Sequence, residues 1–468
     1  MLFNSIVFVS LFLVTLLIYY LPIFKKSQVT ILIISSLIFY SYNNFWLLLL
    51  LLLSISINSF ASYRVAYGNF KKRKLYATLG VAANLLLLFF FKYSPLFAIT
   101  FFNTENGIGS FLVSIPLPIG ISFYTFQGIS LLVDVYRQDN NIHSTYVDNQ
   151  FIKHFEKTTF FIAFFPQLVA GPIVKAHDFI PQINTKYLKD IRYETAFRNL
   201  ILGYFLKVVI ADNLKDATFW IEYPFFLNFS SLTLLVLLIG YSFQIFADFA
   251  GYSLIALGLA ECFGYHLMQN FNFPYISASF KEFWKRWHIS LSSFLQEYLY
   301  FPLGGNRKGK YRTYLNLIIT MVLGGLWHGA AWSYAVWGFF HGIALATERF
   351  LKGLFTLKEN RFLRLLKIIM VFSFVTLAWL LFKLPNFTHV LLYCKAIITN
   401  FSANIDIEKF SLIEIYSLPI ILYHFIYFYK AKSWMLSLRK YDFIAYALML
   451  FLIITNSGMA SDFIYFQF

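Results

Sequence analysis

FWLLLLLLLSISINSFAS, residues 45–62, runs eighteen positions without one charged side chain. Seven consecutive leucines, Leu47 to Leu53, fit neither the stripe of an amphipathic helix nor the alternation of a half-buried strand. About 20 such residues, coiled as a helix, cross the hydrocarbon core of a bilayer with every backbone N–H and C=O satisfied inside the segment. The pattern recurs at 3–24, 29–41, 75–91, 109–133, 158–173, 195–211, 226–246, 250–268, 314–337, 364–384, 411–429 and 441–455. These blocks predict an all-α polytopic membrane protein of about ten to twelve transmembrane helices.

Composition supports that reading. The 468 residues are 59% hydrophobic and 13% charged, against about 25% charged in an ordinary soluble domain. Weak alternation argues against a β-barrel. A net charge of +16 on a soluble chain would suggest nucleic acid, but here the Lys and Arg sit in short loops between apolar blocks, where they report topology. No nucleic-acid partner is expected, and membrane lipids are the surroundings. The first block starts at Leu2 with no basic segment before it, which reads as a retained helix. Cys262 and Cys394 both lie in apolar segments, so neither a disulfide framework nor a metal site is expected.

Four basic clusters set the orientation: Lys25 and Lys26; Lys71 to Lys74; Lys281 to Arg312; and Lys430 to Lys440. All four are placed on the cytoplasmic side. The final block then carries the chain outward and leaves residues 456–468 as an extracytoplasmic tail. No long soluble segment interrupts the series, so 1–468 reads as one membrane domain.

Breaks in the blocks mark where chemistry is expected. Pro116, Pro118 and Gly120 interrupt one of them, and irregular backbone at membrane depth is tolerated where it is buried in protein or lines a cavity. Residues 270–313 mix Trp and Phe with Lys281, Glu282, Lys285, Arg286 and Glu297. They are too polar to span and too aromatic for a free loop, as in a re-entrant or interfacial helix. His288 sits at their centre. His328 follows in Gly324-Gly-Leu-Trp-His-Gly329, inside an apolar block where an ionisable side chain is costly and faces a cavity or a partner. His341 lies thirteen residues further on and is left open. His143, His154, His177, His266, His389 and His424 read as packing histidines that bond a neighbouring helix.

Taken together, Pro118-Ile-Gly-Ile-Ser-Phe-Tyr-Thr-Phe-Gln127, Phe164-Phe-Pro-Gln-Leu-Val-Ala-Gly-Pro172, Phe249-Ala-Gly-Tyr252, Phe283-Trp-Lys-Arg-Trp-His-Ile-Ser-Leu291, Tyr300-Phe-Pro-Leu-Gly-Gly-Asn306 and Gly324 to Gly329 resemble the membrane-bound O-acyltransferases. The branch that looks most similar holds the bacterial alginate and peptidoglycan O-acetyltransferase membrane subunits, the latter of the PatA type. The resemblance covers residues 115–350, the catalytic core it implies, with re-entrant helices around a central tunnel. It implies that His328 is catalytic and that His288 is the second signature position. Alginate-type members often carry an acidic residue after Gly-Tyr-Ser, where this chain has Leu254, which favours peptidoglycan as acceptor over alginate or another exopolysaccharide.

The ending Phe463-Ile-Tyr-Phe-Gln-Phe468 resembles the tail of the PatA-type subunits and the small partner of the D-alanyl transfer system. That resemblance implies an acyl-carrying tyrosine, Tyr465. The alternative is an aromatic tail anchored in the headgroup region. The expected donor is cytoplasmic acetyl-CoA, whose phosphates keep it inside, and the Arg307 to Arg312 loop is one source of attraction for them.

Neutral imidazole suits removal of a hydroxyl proton during attack on a thioester, its unperturbed pKa being about 6.5. His328 is therefore the expected general base, and His288 an orienting or donor-side residue. A phenol, with a pKa near 10 against about 8.5 for a thiol, retains much of the thioester's transfer potential once acetylated. The sugar acceptor then requires a partner, expected to be a periplasmic SGNH-type O-acetyltransferase of the PatB kind at the inner membrane. Two other readings stand: D-alanyl in place of acetyl, and a transporter or flippase, which would be expected to show paired broken helices in corresponding halves.

Overall fold

Every regular element among the described residues is helical. The computed structural model describes residues 1, 3–42, 44–138, 146–169, 171–354, 360–401, 405–429, 439–459 and 463. Contacts divide the chain into two compact units, Met1–Leu200 with Ile255–Met268, and Ile201–Leu254 with Gln269–Phe468.

Among the described residues, six helices are long and apolar enough to cross a bilayer: Pro22–Ser41, Phe45–Tyr67, Phe70–Phe101, Ser231–Cys262, Arg361–Lys383 and Ile407–Tyr429. Shorter apolar helices are Ile6–Tyr20, Phe387–Thr399 and Asp442–Thr455. The chain is a multi-pass membrane protein. Leucine-rich faces such as Leu49, Leu53, Leu79 and Leu86 are exposed on these helices, which lipid accommodates and water would not.

In the first unit, polar side chains join helices from within. Asn58 and Asn84 exchange amide hydrogen bonds of 3.1 and 2.8 Å, and Ser62 Oγ lies 2.8 Å from His154 Nε2. Such pairs hold membrane helices together where no hydrophobic force distinguishes protein from lipid. His177 meets Asp134 at 2.9 Å and His266 meets Glu261 at 2.9 Å, so these histidines have local partners, as does His424 on the Ile420 carbonyl in the second unit. His143 lies outside the described residues. The expected break at Pro116 to Gly120 is present: Gly120 takes φ +78° between the Gly107–Ser114 and Ile121–Arg137 helices.

Three expected blocks differ from the helices observed. The blocks at 226–246 and 250–268 form one helix, Ser231–Cys262, continuous through Asp248. Asp248 is accommodated there because Lys207 Nζ lies 2.7 Å from its Oδ1 and 2.7 Å from Asp212 Oδ1, all three side chains being almost fully buried. A buried charge is tolerable when paired and hydrogen-bonded. The block at 314–337 is instead two helices, Lys310–His328 and Trp332–Leu354, folded against each other. A Cβ on Gly338 would stand 2.2 Å from the Met321 carbonyl oxygen, so the absence of a side chain lets the two backbones approach. The turn falls immediately after His328.

Residues 270–313 hold two short helices, Phe280–Trp284 and Ile289–Leu295, the second continuing as a wider turn over Gln296–Tyr300. His288 links them with φ +43°, a left-handed conformation uncommon for a residue with a Cβ.

Candidate active site

His328 ends its helix 3% exposed, its ring edge-on to Trp327, Trp337 and Phe382 at centroid distances of 5.2, 5.3 and 5.2 Å. His288 is 0% exposed and its ring centroid lies 6.1 Å from that of His328. Phe249 packs edge-on to His288 at 4.5 Å. His341, also 0% exposed, stands 4.7 Å from Trp337 and 5.1 Å from Trp284. Neither of its ring nitrogens has a hydrogen-bond partner among the described residues. Thus the second unit gathers the three singled-out histidines around Trp337 and Trp327, although 40 residues of sequence separate His288 from His328.

Two cavities approach His328. One, of about 450 Å³, is lined by His328 itself, by Trp284, Trp337, Met321 and Gly324 inside, and by Lys281, Lys285, Arg349 and Lys352 among its outer residues. The other, of about 660 Å³, has Tyr334 and Phe382 in its wall and collects Asp212, Asp216, Glu222 and Asp248, with Lys215 and Lys383. Phe382 touches the His328 ring, so the imidazole lines the first cavity and is one aromatic ring removed from the second. The first cavity is basic, whereas the second is rich in carboxylates, of which Asp212 and Asp248 are paired with Lys207 and Glu222 with Lys383.

The cations of the first cavity were not all expected. Of the 306–312 stretch only Asn306 lines it, whereas Arg349 and Lys352 do so from the His341 helix. The signal was present: Leu345, Glu348, Arg349 and Lys352 follow His341 by 4, 7, 8 and 11 positions, the spacing of one helix face. Lys207, Asp212 and Asp248 were also missed, although each is an ionisable residue next to or within an apolar block. Among the described residues no three His, Cys, Asp or Glu side chains converge as metal ligands.

Tyr465 lies outside the described residues. Phe463 is described and is 0% exposed, its ring 5.6 Å from Phe249 and 4.5 Å from Tyr252. The tail reaches that seat along the second unit: Gly458 N donates to the Val208 carbonyl at 2.8 Å, and Asn213 Nδ2 donates to the Asn456 carbonyl at 3.1 Å. Phe249 is therefore shared, packing on Phe463 and on His288.

The fold is that of a helical membrane protein in which three buried histidines gather around Trp327 and Trp337. Residues 152–390, which include His288, His328 and His341, match MBOAT, the membrane-bound O-acyltransferase family. The chain is 37% identical to a protein named probable alginate O-acetylase of Pseudomonas aeruginosa, over 82% of this chain and 72% of the relative. It is 36% identical to the peptidoglycan O-acetyltransferase of Helicobacter pylori, over 81% and 74%. A teichoic acid D-alanyltransferase of Bacillus subtilis is 29% identical over 58% of this chain and 70% of its own length. The protein belongs to the membrane-bound O-acyltransferase family and is an acyltransferase enzyme.

Proposed function

We propose that the protein takes acetyl from cytoplasmic acetyl-CoA, passes it through the membrane at His328 and loads it on Tyr465, from which a periplasmic SGNH-type transferase of the PatB kind O-acetylates peptidoglycan. The observation that carries this reading is the position of His328, lining a basic cavity on one side and packed against Phe382, which lines a second, carboxylate-containing cavity. By the positive-inside rule the cavity with Lys281, Lys285, Arg349 and Lys352 opens toward the cytoplasm, where acetyl-CoA is made.

The chemistry is balanced by one imidazole. The Tyr465 hydroxyl gives its proton to a ring nitrogen of His328 as the oxygen attacks the thioester carbonyl carbon. The C–S bond then breaks, and the departing thiolate takes the proton from His328, which regenerates neutral imidazole. The phenol ester keeps the acetyl activated, because phenol and thiol acidities lie within about two pKa units of each other. Phe463 supports a tail that reaches the site: its ring is buried in protein beside Phe249, which favours the carrier over an anchor held in headgroups.

Peptidoglycan is preferred because the chain lacks the acidic residue after Gly-Tyr-Ser and because the Helicobacter pylori relative bears that activity in its name. Deleting the protein's gene should remove O-acetyl from muramic acid in isolated wall, read by mass analysis of muropeptides. Unchanged wall acetylation, with acetyl lost from an exopolysaccharide, transfers the proposal to the alginate-type acceptor.

The donor assignment has its own test. Lys285→Ala with Arg349→Ala should raise KM for acetyl-CoA roughly fivefold to tenfold and leave kcat within about threefold, since exposed charge-assisted contacts of about 0.5 kcal/mol or more each act on binding. Raising salt should narrow the difference between variant and wild type, because it screens the same attraction. Equal KM values at low salt would place the CoA phosphates elsewhere.

A further inference from the structure

We infer that Asn270 is the positioning residue of His288, fixing which ring nitrogen carries the proton and so which one faces the transfer site. This rests on the reading of His288 as part of that site. Asn270 is buried, and its Oδ1 lies 3.2 Å from the Ser290 backbone nitrogen, 2.9 Å from Ser290 Oγ and 3.1 Å from His288 Nδ1. A backbone N–H can only donate, which identifies the amide atom at this point as oxygen and not nitrogen. An amide oxygen can only accept, so His288 Nδ1 is the protonated nitrogen. In the neutral ring the lone pair is then on Nε2.

The backbone holds this arrangement from both sides. Ile289 N donates to the Asn270 carbonyl at 2.9 Å, and Asn272 N donates to the Arg286 carbonyl at 2.9 Å, so residues 270–272 run beside 286–289. Arg286 adds a 3.0 Å bond from Nη1 to the Asn272 carbonyl. The remaining amide group, Nδ2, donates to Ser253 Oγ on the Ser231–Cys262 helix at 3.2 Å. Three separate sequence features, Gly-Tyr-Ser253, Asn270-Phe-Asn272 and Trp-His288-Ile-Ser290, therefore meet at one side chain. This accounts for the left-handed backbone of His288: φ +43° brings Nδ1 and the Ser290 N–H to the same acceptor, and the hydrogen bonds hold a conformation that is uncommon without them. A buried histidine whose tautomer is set by a neutral acceptor presents a lone pair without gaining a charge, unlike one set by a carboxylate.

Three purified variants in lipid nanodiscs test this, with acetyl transfer followed against acetyl-CoA concentration. Asn270→Leu keeps the size and removes the acceptor; kcat should fall about 100-fold or more with KM for acetyl-CoA within about threefold. Asn270→Asp keeps an oxygen for Ser290 and His288, and Ser253 Oγ can turn to donate to it; kcat should recover to within about tenfold of wild type at unchanged KM. Ser253→Ala removes only the Nδ2 partner and should stay within about threefold. Asn270→Leu active within threefold, or Asn270→Asp as inactive as Asn270→Leu, overturns the assignment. If Asn270→Leu does not accumulate folded, Asn270→Asp decides alone, and loss of its kcat refutes the inference. His288→Ala measured alongside separates the two levels: an active variant retires the role of His288, whereas an inactive one with active Asn270→Leu retires only that of Asn270.

Discussion

His328→Ala should insert, accumulate and bind acetyl-CoA, yet transfer acetyl at least about a thousandfold more slowly, in the range expected when a positioned proton acceptor is removed. The ring is one of several aromatic groups at its position, with Trp327, Trp337 and Phe382 remaining around it, so the loss of packing is local. The loss of chemistry is not local, because no other described imidazole lines the basic cavity. His341 packs on Trp337 with ring centroids 4.7 Å apart, and His288 on Trp327 at 6.0 Å. Steady-state turnover in nanodiscs, together with acetyl-CoA binding measured by calorimetry, separates the two effects. Near-wild-type turnover in this variant removes the general-base role.

Tyr465→Phe should abolish wall acetylation while expression, membrane insertion and recovery with the partner transferase stay normal. Phenylalanine keeps the ring and lacks the nucleophilic oxygen, so the substitution tests transfer and leaves packing in place. Phe463, which holds the tail on Phe249 and Tyr252, is untouched. An anchoring tail predicts little loss. In the wild type without the partner, the intact mass of the protein should include an acetyl group on the tail, because the ester has no acceptor. An active Phe variant and an unmodified tail would leave direct transfer past His328 as the surviving route.

The fold was legible because bilayer spans need length and uniform apolarity, and both can be counted along the chain. Phe45–Tyr67 is the plain example, a helix whose first eighteen residues carry no charge. Asp248 shows where counting fails. It looks like an interruption until Lys207, 41 residues away, neutralises it inside one continuous helix. The break after His328 is the opposite case, hidden in an apolar block whose two halves pack back on each other with Gly338 against the Met321 carbonyl.

The candidate site was legible at His288 and His328, where ionisable side chains in apolar or aromatic surroundings stand out and which the structure brings to 6.1 Å between ring centroids. Asn270 was not, because a single asparagine in an aromatic stretch carries no periodic signal; its meaning arises from the pairing of 270–272 with 286–289. Arg349 and Lys352 are intermediate: their helical spacing is readable in the sequence, but the cavity they line is not.

Vectorial transfer is the central claim, and proteoliposomes test it most directly. Purified protein is reconstituted, and molecules with the Lys285 and Arg349 face outward are supplied with acetyl-labelled CoA in the external medium. The label should appear on Tyr465 protected from an external protease, while CoA stays outside. Label confined to the outer face, or CoA recovered in the lumen, would contradict transfer through His328 and describe an enzyme working on one side of its membrane.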